Sequence, residues 1–178
     1  EMIDTEFTSG DYYYETSITV KAKAKQGYNF VRWSTGSTNN DYTFNLNENT
    51  TLKPIYEART DTPYTVIHKK QNVTGSGYTV AETENLQGTT DSPITPGVKE
   101  YTGFNSPSAQ TTTIKPDGST VVTYEYTRIE YTLTINNSEY VETETPSGTY
   151  RYEQSITFTS KPKTGYRFIK WSNDETTP

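Results

Sequence analysis

From position 14 to position 25 the chain alternates between two kinds of residue, with Thr16 the one polar residue on the apolar side. Tyr14, Ile18, Val20, Ala22 and Ala24 hold even positions, and Glu15, Ser17, Thr19, Lys21, Lys23 and Lys25 hold odd ones. Apolar residues at every second place predict a strand with one buried and one wet face. The pattern returns later, with Tyr152, Ile156 and Phe158 inward and Glu153, Ser155 and Thr157 outward. Gly27 and Gly165 follow these strands as turn residues, free to adopt positive φ. "YNFVRW" (28–33) is apolar on both faces, as a central strand would be, and "DYTFNL" with "TTLKPIYEA" predicts a closing hairpin.

Between these segments, strands are predicted at 64–70, 77–86, 110–115 and 120–128. "KPDGST" (115–120) reads as a hairpin turn, its Asp117-Gly118 pair suited to type I′ geometry. Residues 87–110 form a long loop punctuated by Pro and Gly, a length that implies a function or some structure of its own. No segment carries a convincing 3.6-residue period.

The two alternating stretches are copies of one another. Shifted by 138 positions, "SGDYYYETSITVKAKAKQGYNFVRWS" (9–34) lies over "SGTYRYEQSITFTSKPKTGYRFIKWS" (147–172) with 15 of 26 positions identical. Such an internal repeat marks an array. Three modules follow: 1–57, lacking its first strand; 64–128; and 131–178, lacking its last strands. Open edges left in this way are expected to attract strands from a neighbouring chain or from a continuation of the same one. Short joints, "ARTDTP" and "IE", imply restricted hinges and a rod of beads.

Composition sharpens this picture. Thr accounts for 35 residues, and Ile plus Val (10 and 9) far exceed Leu (4), so the fold class is all-β and mainly antiparallel. Only 30% of residues are apolar, which makes each core thin, while 16 Tyr, 6 Phe and 2 Trp supply its bulk. A net charge of -6 argues against a nucleic-acid partner. No apolar run is long enough to predict a membrane-inserted helix. The absence of Cys excludes disulfides and thiolate metal sites.

The run ending in "GYRFIKWS" resembles the divergent internalin-type B-repeat family of bacterial surface proteins, over about 1–57 and 131–178. Ala24 stands in the first copy where the second has Pro162. "YTVIHKKQNVTGSGYTV" and "DGSTVVTYEYTR" resemble, more loosely, the mucin-binding-protein type of repeat. Both likenesses imply small β-grasp-like modules in large Gram-positive surface proteins, with stalk, adhesion or wall-associated roles. Neither carries over a catalytic residue.

The search for chemistry yields little. A lone His68 lacks the partners of a multi-His metal site or a nucleophile, and reads as a strand-surface or half-buried residue. Glu82 with Glu84, and Glu142 with Glu144, share strand faces and read as solvated acid. Lys21, Lys23 and Lys25, echoed by Lys161 and Lys163, read as edge protection or a contact for anionic wall polymers. No cofactor is expected. The repeat core is assigned to Tyr14, Ile18, Gly27, Tyr28, Phe30, Trp33, Tyr152, Ile156, Gly165, Tyr166, Phe168 and Trp171. Tyr12 and Tyr150 also lie inward by alternation. Tyr101, Phe104 and the outward Tyr13 are the ligand-binding candidates.

These readings converge on a non-enzymatic spacer in an extracellular, cell-wall-associated bacterial protein, partnered by its neighbouring repeats. Two alternatives stand beside it. One is an adhesive module that binds host glycan or protein through the 87–110 loop, and the other is a phage tail-fibre segment.

Overall fold

The computed structural model describes residues 9–23, 26–137, 139–143 and 147–177. Among them all regular structure is β. In chain order the strands are β1 (Thr16–Lys21), β2 (Tyr28–Trp33), β3 (Asp41–Leu46), β4 (Pro54–Ala58), β5 (Thr62–Gln71), β6 (Tyr78–Gly88) and β7 (Pro93–Ile94). They continue as β8 (Phe104–Asn105), β9 (Thr112–Thr113), β10 (Thr120–Arg128), β11 (Glu130–Leu133), β12 (Val141–Thr143), β13 (Gly148–Arg151) and β14 (Ser160–Pro162). Contacts divide the chain into two compact units. The first holds Glu1–Ile67, Thr83–Gly97 and Ala109–Thr123; the second holds His68–Glu82, Val98–Ser108 and Tyr124–Pro178.

In the first unit, the first repeat copy makes two antiparallel ribbons. β1 pairs with β3, setting Ile18 opposite Phe44 and Val20 opposite Tyr42, while β2 pairs with β4. The expected β3–β4 hairpin is therefore replaced by an interleaved pairing. Among the described residues β2 is not central, since its ladder partner is β4 and its register shifts between Phe30 and Arg32. Period-two alternation explains the core. Ile18, Val20, Ala22 and Trp33 are buried, and Phe30, Tyr42, Phe44, Leu46, Leu52 and Tyr56 pack around them.

Alternation stops one step earlier than the sequence implied. Glu15 has a positive φ of 63°, so the strand starts at Thr16 and Tyr14 is turned out, at 73% exposure. Tyr12 is exposed too. The inward assignments of Tyr12 and Tyr14 are overturned by this left-handed residue, which rotates everything before it off the β1 face. Ala24 and Lys25 lie outside the described residues.

β5 and β10 are neighbours in a four-stranded sheet of order β6–β5–β10–β8, and β7 pairs separately with β9. β10 alternates cleanly, burying Thr120, Val122, Tyr124 and Tyr126. The loop at 87–110 is tied down through both short strands: Pro93 and Ile94 face Thr113 and Thr112, and Phe104 faces Arg128. The turn at "KPDGST" is not type I′. Asp117, which the Asp117-Gly118 pair would need at positive φ, is not at positive φ, and the Gly118 amide donates to the Lys115 carbonyl at 3.0 Å, which centres the turn on Pro116 and Asp117 with Gly118 at φ 74°.

In the second unit, the second repeat copy pairs β11 with β13 and β12 with β14. Its residues 154–159 and 166–171, the counterparts of β1 and β2, stand in no strand apart from this. Tyr166 is 54% exposed, Phe168 and Trp171 are half-buried, Ile156 and Tyr152 are half-buried, and Gly165 is exposed. The copy repeats the turns of the first but not its strands, and Ile156, Tyr166 and Trp171 are more exposed than Ile18, Tyr28 and Trp33.

Candidate functional site: the module junctions

The two copies repeat their backbone geometry at long range in sequence. Positive φ recurs at Glu15 and Glu153 (63° and 64°), at Gly27 and Gly165 (83° and 90°), and at Gly36 and Asp174 (95° and 67°). Hydrogen bonds recur with it. The Trp33 amide donates to Ser37 and the Trp171 amide to Glu175, both at 2.8 Å. Each indole Nε1–H donates to a carbonyl further on, Asn39 at 3.0 Å and Thr177 at 2.8 Å. The residues common to both copies thus set turns and place the tryptophans, which is a structural use of the repeat.

What the sequence did not reveal is how each repeat copy is fastened to the chain beside it within its own unit. In the first unit, the Arg59 amide donates to the Gly27 carbonyl and the Thr90 amide to the Arg59 carbonyl, each at 2.9 Å. The Arg59 guanidinium grips Asp61 with two bonds of 2.8 and 2.9 Å, which hold the Asp61 carboxyl below its usual range. Tyr28 donates its hydroxyl to the Asp91 carboxylate; that bond, then burial, raises the phenol above its ordinary value. Gly27 sits so close to Pro116 that a Cβ there would fall 2.7 Å from the Pro116 Cα. The Gln26 side-chain amide reaches the Asp117 carbonyl at 3.3 Å.

In the second unit the fastener is Arg128, the last residue of β10. Its side chain is only 11% exposed. Nε donates to the Gln71 carbonyl, and Nη1 donates to the Tyr152 carbonyl and to Glu153, all at 2.8 Å. Its guanidinium also lies 4.8 Å from the Phe104 ring centre. The backbone joins in, as Ile129 donates to Gly103 at 2.9 Å and Tyr152 to Ile129 at 2.8 Å. Arg151 donates to the carbonyls of Asn72 at 3.4 Å and Gly75 at 2.5 Å, and lies 3.6 Å from Glu130. This fork of donors clamps the end of β10 to the chain at Gln71 and Tyr152 within the second unit. The one sequence signal for Arg128 was its position, immediately before "IE".

The ligand candidates fall differently. Tyr101 is half-buried, its ring edge-on to Tyr126 at 4.8 Å with the Lys70 ammonium 3.9 Å above it. Its hydroxyl donates to Glu82 at 3.3 Å; burial first, and then that carboxylate, raises its ionisation above the usual tyrosine value. Phe104 lies against Arg128 and, at 6.2 Å, Tyr152. The structure brings both candidates into one cluster, where their ring faces meet cations of the same chain. Tyr13, by contrast, stands 91% exposed.

His68 is not on a surface. It is fully buried between Tyr124 and Tyr126, because β5 lies inside its sheet, and its Nδ1 is 2.8 Å from the Tyr126 hydroxyl. Glu82 holds Lys99 at 2.5 Å, Glu142 lies 3.8 Å from Lys163, and Glu144 is outside the described residues. Lys21 faces Asp41 across the ladder at 3.8 Å. Among the described residues, no group of three or more His, Asp or Glu is arranged to hold a metal ion, and no helix is long and apolar enough to cross a membrane.

Two copies of one turn-and-tryptophan framework, each locked to the chain beside it, define an all-β repeat protein. The sequence comparison specifies which kind. The chain belongs to the divergent InlB B-repeat family, whose profile matches residues 4–60 and 131–178, more than half of its length. No curated protein and no solved structure matches it.

Proposed function

We propose that this chain is a non-enzymatic spacer in a bacterial surface protein, a run of modules that holds a distal domain away from the cell. The observation that carries this reading is the fastening of the joints, above all the Arg128 clamp between Gln71 and Tyr152. Restricted joints serve a spacer directly, because its task is to keep separation without spending chain on flexibility. B-repeat membership supports a surface-protein origin. The stretch between the matched segments is read as a mucin-binding-protein-like module, and the whole as extracellular and cell-wall associated. Scattering from chains of one, two and three 138-residue periods tests the proposal. Equal increments in maximum dimension support it; a compact particle at three periods overturns it.

A second reading, adhesion to host glycan or protein, draws on a different observation. Tyr12, Tyr13 and Tyr14 are consecutive and all exposed, and exposed aromatic rings are natural stacking surfaces for sugars. A glycan array probed with this chain and with Tyr13→Ala decides it. Signal lost in the variant favours adhesion, and an array without signal removes it.

A further inference from the structure

β4 ends at Ala58 and β5 opens at Thr62; β10 ends at Arg128 and β11 opens at Glu130. Tension passed along the chain from one repeat copy to the other therefore enters residues 62–128 at the first end of β5 and leaves at the last end of β10. Those two strands are hydrogen-bonded neighbours. Their first ends lie together, since a Cβ on Gly118, just before β10, would stand 2.9 Å from the Pro63 Cγ. Their last ends lie together as well. The Arg128 amide donates to Gln71 Oε1 at 2.9 Å, and its Nε to the Gln71 carbonyl at 2.8 Å. Start beside start and end beside end make the pair parallel, whereas the ladders described within the two repeat copies are antiparallel. Between the ends, His68 Nδ1 on β5 lies 2.8 Å from the Tyr126 hydroxyl on β10, and Val66, Val122 and Tyr124 are buried along the same strands.

We infer that this parallel pair is a force-bearing clamp: residues 62–128 resist tension along the chain because it must shear β5 against β10. Opposed pulls on the first end of one parallel strand and the last end of its neighbour slide the two past each other. The evenly spaced bonds of a parallel ladder are then strained together, and none fails alone. Pulls on two ends that lie side by side would instead peel the pairs off one at a time. The difference is kinetic, since forced rupture follows the unfolding barrier and not the equilibrium stability. Arg128 sits where the tension leaves, and its bonds to Gln71 tie the loaded end of β10 directly to β5. The inference deepens the spacer reading, because a spacer under tension holds only as long as its weakest module.

The test pulls on the intact chain through cysteine handles, which are unique because the sequence holds no Cys. One variant carries them at opposite ends of the pair, Thr60→Cys with Glu130→Cys. A second carries them at the shared first end, Thr60→Cys with Ser119→Cys, and a third at the shared last end, Ser76→Cys with Glu130→Cys. All four positions are exposed. Held at one constant force in optical tweezers, the opposite-end variant should survive about tenfold longer or more than either of the others, the factor for one additional bond strained at the same moment. Its rupture should release roughly 200 Å in one step, the extended length of the enclosed chain at about 3.4 Å per residue less the span of one strand. Matching or reversed lifetimes overturn the inference, as does rupture of the opposite-end variant in a succession of short steps. A compact particle in scattering would remove the spacer and leave these lifetimes unchanged; matching lifetimes would remove the clamp and leave the spacer.

Discussion

Trp33 and Trp171 donate the same indole hydrogen bond, to the carbonyls of Asn39 and Thr177 at 3.0 and 2.8 Å, yet only Trp33 is fully buried. Hydrogen bonding and burial are thus separable at this site. The bond comes with the turn; the burial requires partner strands.

The two tryptophans should therefore differ in worth. Trp33→Ala is expected to destabilise by about 3–5 kcal/mol, the range for removing a buried large aromatic. Trp171→Ala should cost well under half of that. Urea denaturation followed by circular dichroism measures both, and equal losses would contradict the burial difference.

The glycine pair offers a matched comparison. Both Gly27 and Gly165 have positive φ, so alanine at either adds about 1–2 kcal/mol of backbone strain. Gly27→Ala also drives a Cβ into Pro116, while at Gly165 no atom lies within 4 Å of the added Cβ. Thermal melts should show the larger loss for Gly27→Ala.

Arg128→Ala should loosen the joint that Arg128 clamps. Charge-assisted bonds to Gln71 and Tyr152 are lost together, on the order of 3 kcal/mol. Exchange of the Ile129 and Tyr152 amides should accelerate, and Arg128→Lys should recover little because lysine lacks the planar fork. Unchanged exchange at both amides would show that the backbone bonds alone hold the joint.

Tyr126→Phe removes one hydroxyl that serves two groups, accepting from the Lys99 amide at 2.9 Å and meeting His68 Nδ1 at 2.8 Å. The expected cost is about 1–3 kcal/mol, as for a buried polar group deprived of its partner. Chemical denaturation of the variant against the parent chain checks it.

The Tyr28 phenol, raised by its bond to Asp91 and then by burial, has a pH consequence. A group whose folded pKa lies above its unfolded value of about 10 stabilises fully below that value. The contribution disappears as pH rises through the raised folded pKa. Asp91→Asn should flatten the loss of stability on the alkaline side, read by denaturation at a series of pH values.

Much of this was legible in the residues. Alternation at Ile18, Val20 and Ala22, the turn at Gly27 and the doubled "GYxFxxWS" run predicted strands, core and repeat, and the strands at 64–70 and 120–128 lie within β5 and β10. The misreadings have local causes. Left-handed Glu15 turned Tyr14 outward, and the bond from Gly118 to Lys115 centred the turn on Pro116 and Asp117 instead of Asp117 and Gly118. His68 was misplaced because alternation gives a face but not the number of neighbouring strands.

By itself the sequence determined the local framework: where the backbone turns, which face of each strand is apolar, and that the same framework occurs twice. Those properties depend on residues within a few positions of one another, through sterics, side-chain period and short-range hydrogen bonds. The tertiary structure decided which strands pair, how Arg128 and Gly27 fasten the joints, and which tryptophan is covered. These are contacts across long sequence separations, so closely similar local spelling leaves Trp33 enclosed by β3 and β4 and Trp171 half-buried.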